Sequence, residues 1–138
     1  MKKLKLENYN FRVDSKDWLI DKGGVKTSPT DDIWEFEGEQ LFTWDAAMRE
    51  TKKAGKRMPT DSEFSKIIKT KEDIENLVFT GYRSTNGTFY DYGTYTHFWS
   101  SSESDTSAWI CSLYKFNHTI HRNDYYKVHG FSVRCIQD

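Results

Sequence analysis

The sequence predicts an α+β domain. Helical periodicity is confined to an early stretch, short aromatic strand patterns fill the rest, and glycine punctuates the chain from Gly81 onward. The helical stretch has two parts. Trp44, Ala47, Met48, Thr51 and Ala54 recur at helical spacing, with Thr43 placed to cap the start and Gly55 to end the helix. Thr60-Asp61-Ser62-Glu63 has the form of a capping box, in which a hydroxyl and a carboxylate each satisfy a free backbone N–H. Phe64, Ile67 and Ile68 follow it as the apolar face of a helix over 61–69, and residues 73–77 add one more turn.

Before the helices, Leu4 and Leu6, then Phe11 and Val13, alternate with polar residues as one or two short strands, and Ile33, Trp34 and Phe36 form another. Lys22-Gly23-Gly24 reads as a turn and residues 27–32 as a loop. Beyond Phe79, Asn86-Gly87 between Tyr82-Arg83 and Phe89-Tyr90 signals a hairpin. Two late strands are expected. Residues 108–116 carry Trp109, Cys111 and Leu113 on one face, and 131–136 carry Phe131, Val133 and Cys135. Ser100-Ser101-Ser102 reads as a loop whose hydroxyls bond backbone groups. The N-terminal strand is expected to pair with the C-terminal one. A length of 138 residues suits one domain: N-terminal strands and loop over 1–40, a helical part over 41–78, and a strand and loop part over 79–138 that holds the ligand surface.

Composition excludes several classes. The 20 basic and 21 acidic residues are interspersed, so no basic face is available to neutralise nucleic-acid phosphates. No apolar run is long enough to cross a membrane. The start, Met1-Lys2-Lys3-Leu4-Lys5, lacks the apolar stretch of a signal peptide, which leads to the expectation of a cytoplasmic or virion component. Aromatic residues make up 16% of the chain, more than a core short of Ile, Leu and Val needs, so some rings are expected on a contact surface.

Three segments carry a resemblance. Lys56-Arg57-Met58-Pro59-Thr60-Asp61-Ser62-Glu63-Phe64 resembles an element of C-type-lectin-like domains, as found in formylglycine-generating enzymes. Phe98-Trp99-Ser100-Ser101, with Ala108-Trp109, and the terminal Gly130-Phe131-Ser132-Val133-Arg134-Cys135 are together similar to the Fibrobacter-type major paralogous domain. They are also similar to the variable proteins of diversity-generating retroelements. The resemblance spans roughly residues 41–138. It implies a C-type-lectin-like fold with two helices packed on small antiparallel sheets. It also implies a receptor-binding role, as in phage or viral attachment, with a host surface protein or glycan as partner. In such proteins a C-terminal stretch displays side chains substituted at template adenines. Residues 117–129 fit that chemistry, since only Lys127 lies outside the residues reachable from Asn codons with a pyrimidine third base.

The candidate ligand-binding residues are Tyr114, His118, His121, Asn123, Asp124, Tyr125, Tyr126 and His129, read as a loop and strand edge. Three of the four histidines and three of the eight tyrosines fall between Tyr114 and His129. No cofactor is expected. No metal is expected either, because His118 and His121 stand three apart and would point to opposite faces of a strand. Cys111 and Cys135 lie on apolar strand faces and read as small buried hydrophobes, not nucleophiles. No nucleophile elbow accompanies the serines, so no enzymatic activity is expected. Two alternatives remain: an oxidase of the formylglycine-generating kind, and a structural virion or surface protein in which the aromatic stretch is an assembly contact. The five tryptophans are expected in the core, and Arg83 and Arg134 in ion pairs or hydrogen bonds beneath the loops.

Overall fold

The computed structural model describes residues 5–69, 71–75, 77–117 and 120–137. The architecture is mixed α+β. In chain order the elements are β1 (Lys5–Leu6), β2 (Leu19–Ile20), β3 (Lys26–Thr27), β4 (Ile33–Phe36), β5 (Glu39–Phe42), α1 (Trp44–Lys53), α2 (Asp61–Ile67) and α3 (Lys71–Glu75). They continue with β6 (Tyr82–Arg83), β7 (Phe89–Tyr90), β8 (Tyr95–Ser104), β9 (Ser107–Tyr114), β10 (Ile120–Tyr126) and β11 (Ile136–Gln137). Among the described residues these strands form the antiparallel sheets β2-β3-β4-β5, β10-β9-β8, β6-β7 and β1-β11. The last joins the two ends of the chain, with Lys5 opposite Gln137 and Leu6 opposite Ile136.

Local chemistry sets the helix boundaries. The Thr43 side chain accepts from the Ala46 N–H, and α1 closes at Ala54 with Gly55 at φ 71°, the left-handed region that glycine enters without a Cβ clash. Its inward face is Trp44, Ala46, Ala47 and Thr51, while Ala54, the C-cap, is exposed. The capping box of α2 forms in full: the Thr60 N–H donates to Glu63 Oε1 at 2.9 Å and the Glu63 N–H to the Thr60 hydroxyl at 3.2 Å. The helix stops at Ile67, short of the expected 69, because the Lys69 N–H donates to the Asp73 carboxylate at 2.9 Å and not to a helix carbonyl. Gly87 at φ 86° closes the hairpin that places Tyr82 opposite Tyr90.

The sheet β10-β9-β8 is buried on both faces at its centre. Successive side chains of a strand point to opposite sides. On one side Trp99, Ala108 and Ile110 join Phe42, Trp44, Met58, Phe131 and Val133 in one core cluster. On the other, Phe98, Cys111 and Leu113 join Phe64, Ile68, Ile74 and Phe79 in a second, covered by α2. The Phe64 and Phe98 rings stack 6.2 Å apart. The expected apolar face of β9 is therefore half of what this strand buries. Trp109 is only partly covered, with the Arg122 guanidinium 5.8 Å from its ring, and Trp18 is also half-buried, so neither is a core residue. Trp34, Trp44 and Trp99 are core residues.

Three expectations need correction. Residues 131–136 form no continuous strand. All six are buried, and each stretch bonds a different neighbour: Phe131 pairs with Phe42, Ser132 with His97 and Trp99, Val133 with Phe11, Cys135 with Glu7, and Ile136 with Arg57. The segment threads between elements, so no one partner strand runs its length. Likewise Phe11 and Val13 build no strand ladder. Val13 instead bonds the Gln40 side-chain amide, which donates and accepts at 2.8 Å as a strand neighbour would. Ser100 to Ser102 lie inside β8, at a register irregularity between Trp99 and Glu103, and are not a loop. Their hydroxyls do bond backbone: Ser102 Oγ accepts from the Asp61 N–H at 3.0 Å and Ser100 Oγ from the Ser102 N–H at 3.2 Å.

Candidate binding face

The polar stretch after Tyr114 forms β10, which among the described residues is an edge strand paired with β9. Its register decides which candidates act together. His121 lies opposite Ser112, Asn123 opposite Ile110 and Tyr125 opposite Ala108. Across β9, Ser112 faces His97, Ile110 faces Trp99 and Tyr114 faces Tyr95. Directly opposed residues share a face. His121, Asn123, Tyr125 and Tyr114 therefore stand on one face with Tyr95 and His97. Asp124 and Tyr126 do not belong to that group. They alternate to the opposite face, beside Arg122, which is ion-paired with Asp61. His118 lies outside the described residues.

The ring contacts are continuous. Phe116 packs on Tyr114 at 5.5 Å, Tyr114 on Tyr95 at 4.6 Å, Tyr95 on His97 at 5.8 Å, and His97 on Phe131 at 5.3 Å. Phe131 carries His129 at 5.7 Å and Tyr125 at 5.6 Å. Tyr82 closes over His97 at 5.4 Å and leads to Tyr90 at 5.6 Å. His129 reaches this face because the chain turns sharply after β10. Its ring Nδ1 and its backbone N–H both meet the Tyr126 carbonyl, at 3.0 and 3.1 Å. Phe131 then locks into Phe42 by two backbone bonds of 2.8 and 2.9 Å.

The floor of this face is buried and its rim is open. His97 is buried, with Nδ1 2.7 Å from the Ser112 hydroxyl and Nε2 without a partner among the described residues. Burial pushes its pKa down to about 4, so the ring is neutral at pH 7. Burial also pushes the Tyr82 hydroxyl up, helped by the charge of Asp91, whose own carboxyl burial raises. His121, Asn123, Tyr125, Tyr90 and Phe116 are exposed, and Tyr82, Tyr95, Tyr114 and His129 half-exposed. None of these residues is Asp, Glu, Lys or Arg, in a chain that is 30% charged. The arrangement offers ring faces, phenol hydroxyls, imidazoles and one amide, groups suited to contact chemistry.

Tyr82, Tyr90, Tyr95 and His97 are absent from the sequence-based set. The period-two pattern Tyr95-x-His97-x-Trp99 marks the last two as sharing a face, but only the pairing of β8 with β9 puts that face beside Tyr114. Other chemistry has less to stand on. Among the described residues, no group of three or more His, Cys, Asp or Glu side chains is placed to hold a metal ion. Cys111 and Cys135 are both free and buried, and burial pushes each thiol up to about 12. Arg83 lies over the Trp34 ring at 3.9 Å and bonds the Ser84 carbonyl, and Arg134 bonds the Glu7 carbonyl. No helix among the described residues is long and apolar enough to cross a membrane. Comparisons with protein-family models, with curated proteins and with solved structures returned no match for this chain.

Proposed function

We propose that the chain is a non-enzymatic binding module of C-type-lectin-like fold that engages a receptor through the face of Tyr95, Tyr114, His121, Asn123, Tyr125 and His129. The observation that carries this reading is the run of exposed and half-exposed rings on one sheet face, footed on a buried core. Large rings with few rotatable bonds lose little entropy on contact, and a rigid floor keeps them presented. The paired ends of the chain and the two helices packed on small antiparallel sheets support the fold assignment. In this reading the chain is the variable protein of a diversity-generating retroelement, and its ligand is a host surface protein or glycan. An oxidase of the formylglycine-generating kind needs an accessible thiolate, and the burial of both cysteines favours binding over that chemistry.

Single alanine variants test the face. His121→Ala, Asn123→Ala and Tyr125→Ala should weaken adhesion to host cells or to arrayed glycans, and Tyr126→Ala, on the other face of the same strand, should not. Equal losses from all four would count against the assignment. Sequencing of the DNA flanking the gene provides a second test. A near-copy of the codons for 99–138, differing where the copy has adenine, should place those adenines at His121, Asn123, Tyr125 and His129, with a reverse transcriptase gene nearby.

A further inference from the structure

Arg134 is 6% exposed, yet among the described residues no carboxylate pairs with it. The more exposed Arg12, Arg49, Arg57 and Arg122 all have carboxylate partners. Arg134 Nη2 donates to the Glu7 carbonyl oxygen, and the guanidinium stands 5.6 Å from the Phe98 ring centre. Its Nε–H is sealed from solvent and has no partner. The nearby Glu7 carboxylate is committed to Lys56, 2.9 Å away. A buried guanidinium is costly to leave unpaired, because it cannot shed its proton to become neutral at any ordinary pH.

This residue borders two clefts, of about 250 and 350 Å³, which share Asn8, Leu77 and Arg134 and so form two lobes of one groove. The groove lies away from the aromatic face, since Phe98 points to the opposite side of the sheet from Tyr95 and His97. Positive side chains outnumber negative ones in both lobes: Arg134 and Arg12 against Glu39 in the first, Arg134 and Lys5 against Asp73 in the second. The flanks are apolar, with Leu77 in both lobes and Val78 in the first.

We infer that this groove binds a small organic carboxylate, its oxygens set against the Arg134 guanidinium and a short hydrocarbon tail along Leu77 and Val78. Carboxylate matches the planar fork of guanidinium donors and supplies the directly bonded partner that the Glu7 carboxylate, acting on Arg134 only through its charge, does not. The tail requirement separates such a ligand from an inorganic oxyanion, which would gain nothing from the apolar flank.

The test uses the full chain labelled with ¹⁵N, following the Arg134 side-chain Nε–H signal at constant ionic strength. Butyrate should shift that signal saturably, butyramide should leave it in place, and inorganic phosphate should act at least about tenfold more weakly. Arg134→Gln is a poor probe because it also removes the bond to Glu7 that ties down the N-terminal segment. Val78→Glu is better. Val78 is 48% exposed, so the fold tolerates the change, and the new carboxylate lines the same lobe. It should weaken butyrate binding at least about tenfold by competing for the guanidinium. Identical responses to butyrate and butyramide, equal responses to butyrate and phosphate, or unchanged butyrate binding in Val78→Glu would each overturn the assignment.

Discussion

Acidification should loosen the aromatic face from beneath, through His97. This ring is walled in by Tyr82 at 5.4 Å, Tyr95 at 5.8 Å and Phe131 at 5.3 Å, with only the Ser112 hydroxyl bonded, on Nδ1. Among the described residues no carboxylate is bonded to it, and Nε2 has no acceptor to receive a second proton. The folded-state pKa is therefore depressed, from 6.5 to about 4. The unfolded chain takes up this proton first, so the contribution to stability is fully present above pH 6.5 and is lost as pH falls toward 4. At about 1.4 kcal/mol per pH unit, the fall is worth about 3 kcal/mol, an upper bound if water enters beside the ring. Urea unfolding of the native chain and of His97→Gln at pH 7, 6, 5 and 4.5 measures it. The difference in stability between the two should shrink by roughly 2–3 kcal/mol across that range. The depressed carboxylates Glu63, Asp32 and Glu35 begin to give up their contributions near the bottom of that range, but they are present in both proteins and cancel in the difference. Parallel stability curves for the two proteins, or a His97 titration midpoint near 6.5 by NMR, would refute the argument.

Three further outcomes follow from named contacts. Gly81 sits at φ 65°, and an added Cβ would lie 2.0 Å from the Tyr90 carbonyl oxygen and 2.6 Å from the Tyr92 nitrogen, so Gly81→Ala should cost roughly 3 kcal/mol or more in a denaturant melt. Gly38→Ala, at φ 79° with open space around it, should cost only about 1–2 kcal/mol, and equal costs would show that backbone strain alone is at work. Thr60→Ala breaks half of the α2 capping box and should lower stability by about 1 kcal/mol, where no change would mean that the Glu63 carboxylate suffices. Both thiols should resist an aromatic disulfide reagent at pH 8 until the chain unfolds, and reaction of Cys111 or Cys135 at the rate of a free thiol would contradict their burial.

Elements specified by their own residues could be read before the fold was known. Thr43 and Gly55 bound α1, the reciprocal bonds of Thr60 and Glu63 start α2, and Asn86-Gly87 turns the β6-β7 hairpin, each through bonds that close within a few residues. Elements that depend on distant partners were harder to read. The alternation of residues 131–136 suggests a strand, yet the segment is shared among Phe42, His97, Phe11, Glu7 and Arg57, and only Ile136 enters a strand pair. Trp109 carries the apolar signature of a core residue, but its neighbour across β10 is Asp124 at an open edge, and it stays half-exposed. Among the candidate site residues, the density of His and Tyr near the end of the chain was visible in composition. Their division was not, because a one-residue change of register exchanges the two faces of a strand.

What the sequence by itself determined is the inventory: an α+β chain with capped helices, two cysteines inside apolar patterns, and a surplus of rings gathered before the C-terminus. Those features rest on composition and on hydrogen bonds spanning a few residues, which any folded form of this chain must satisfy. What only the tertiary structure decided is the partnership among the rings. Pairing β9 between β8 and β10 brought Tyr95 and His97 beside Tyr114 and Tyr125 and turned Asp124 and Tyr126 away, and the packing of the C-terminal segment left Arg134 buried with no carboxylate paired to it among the described residues. Strand register and the packing of Phe131 against Phe42 and Trp99 are agreements between residues far apart in the chain. They arise when the whole core closes, so no local window of sequence contains them.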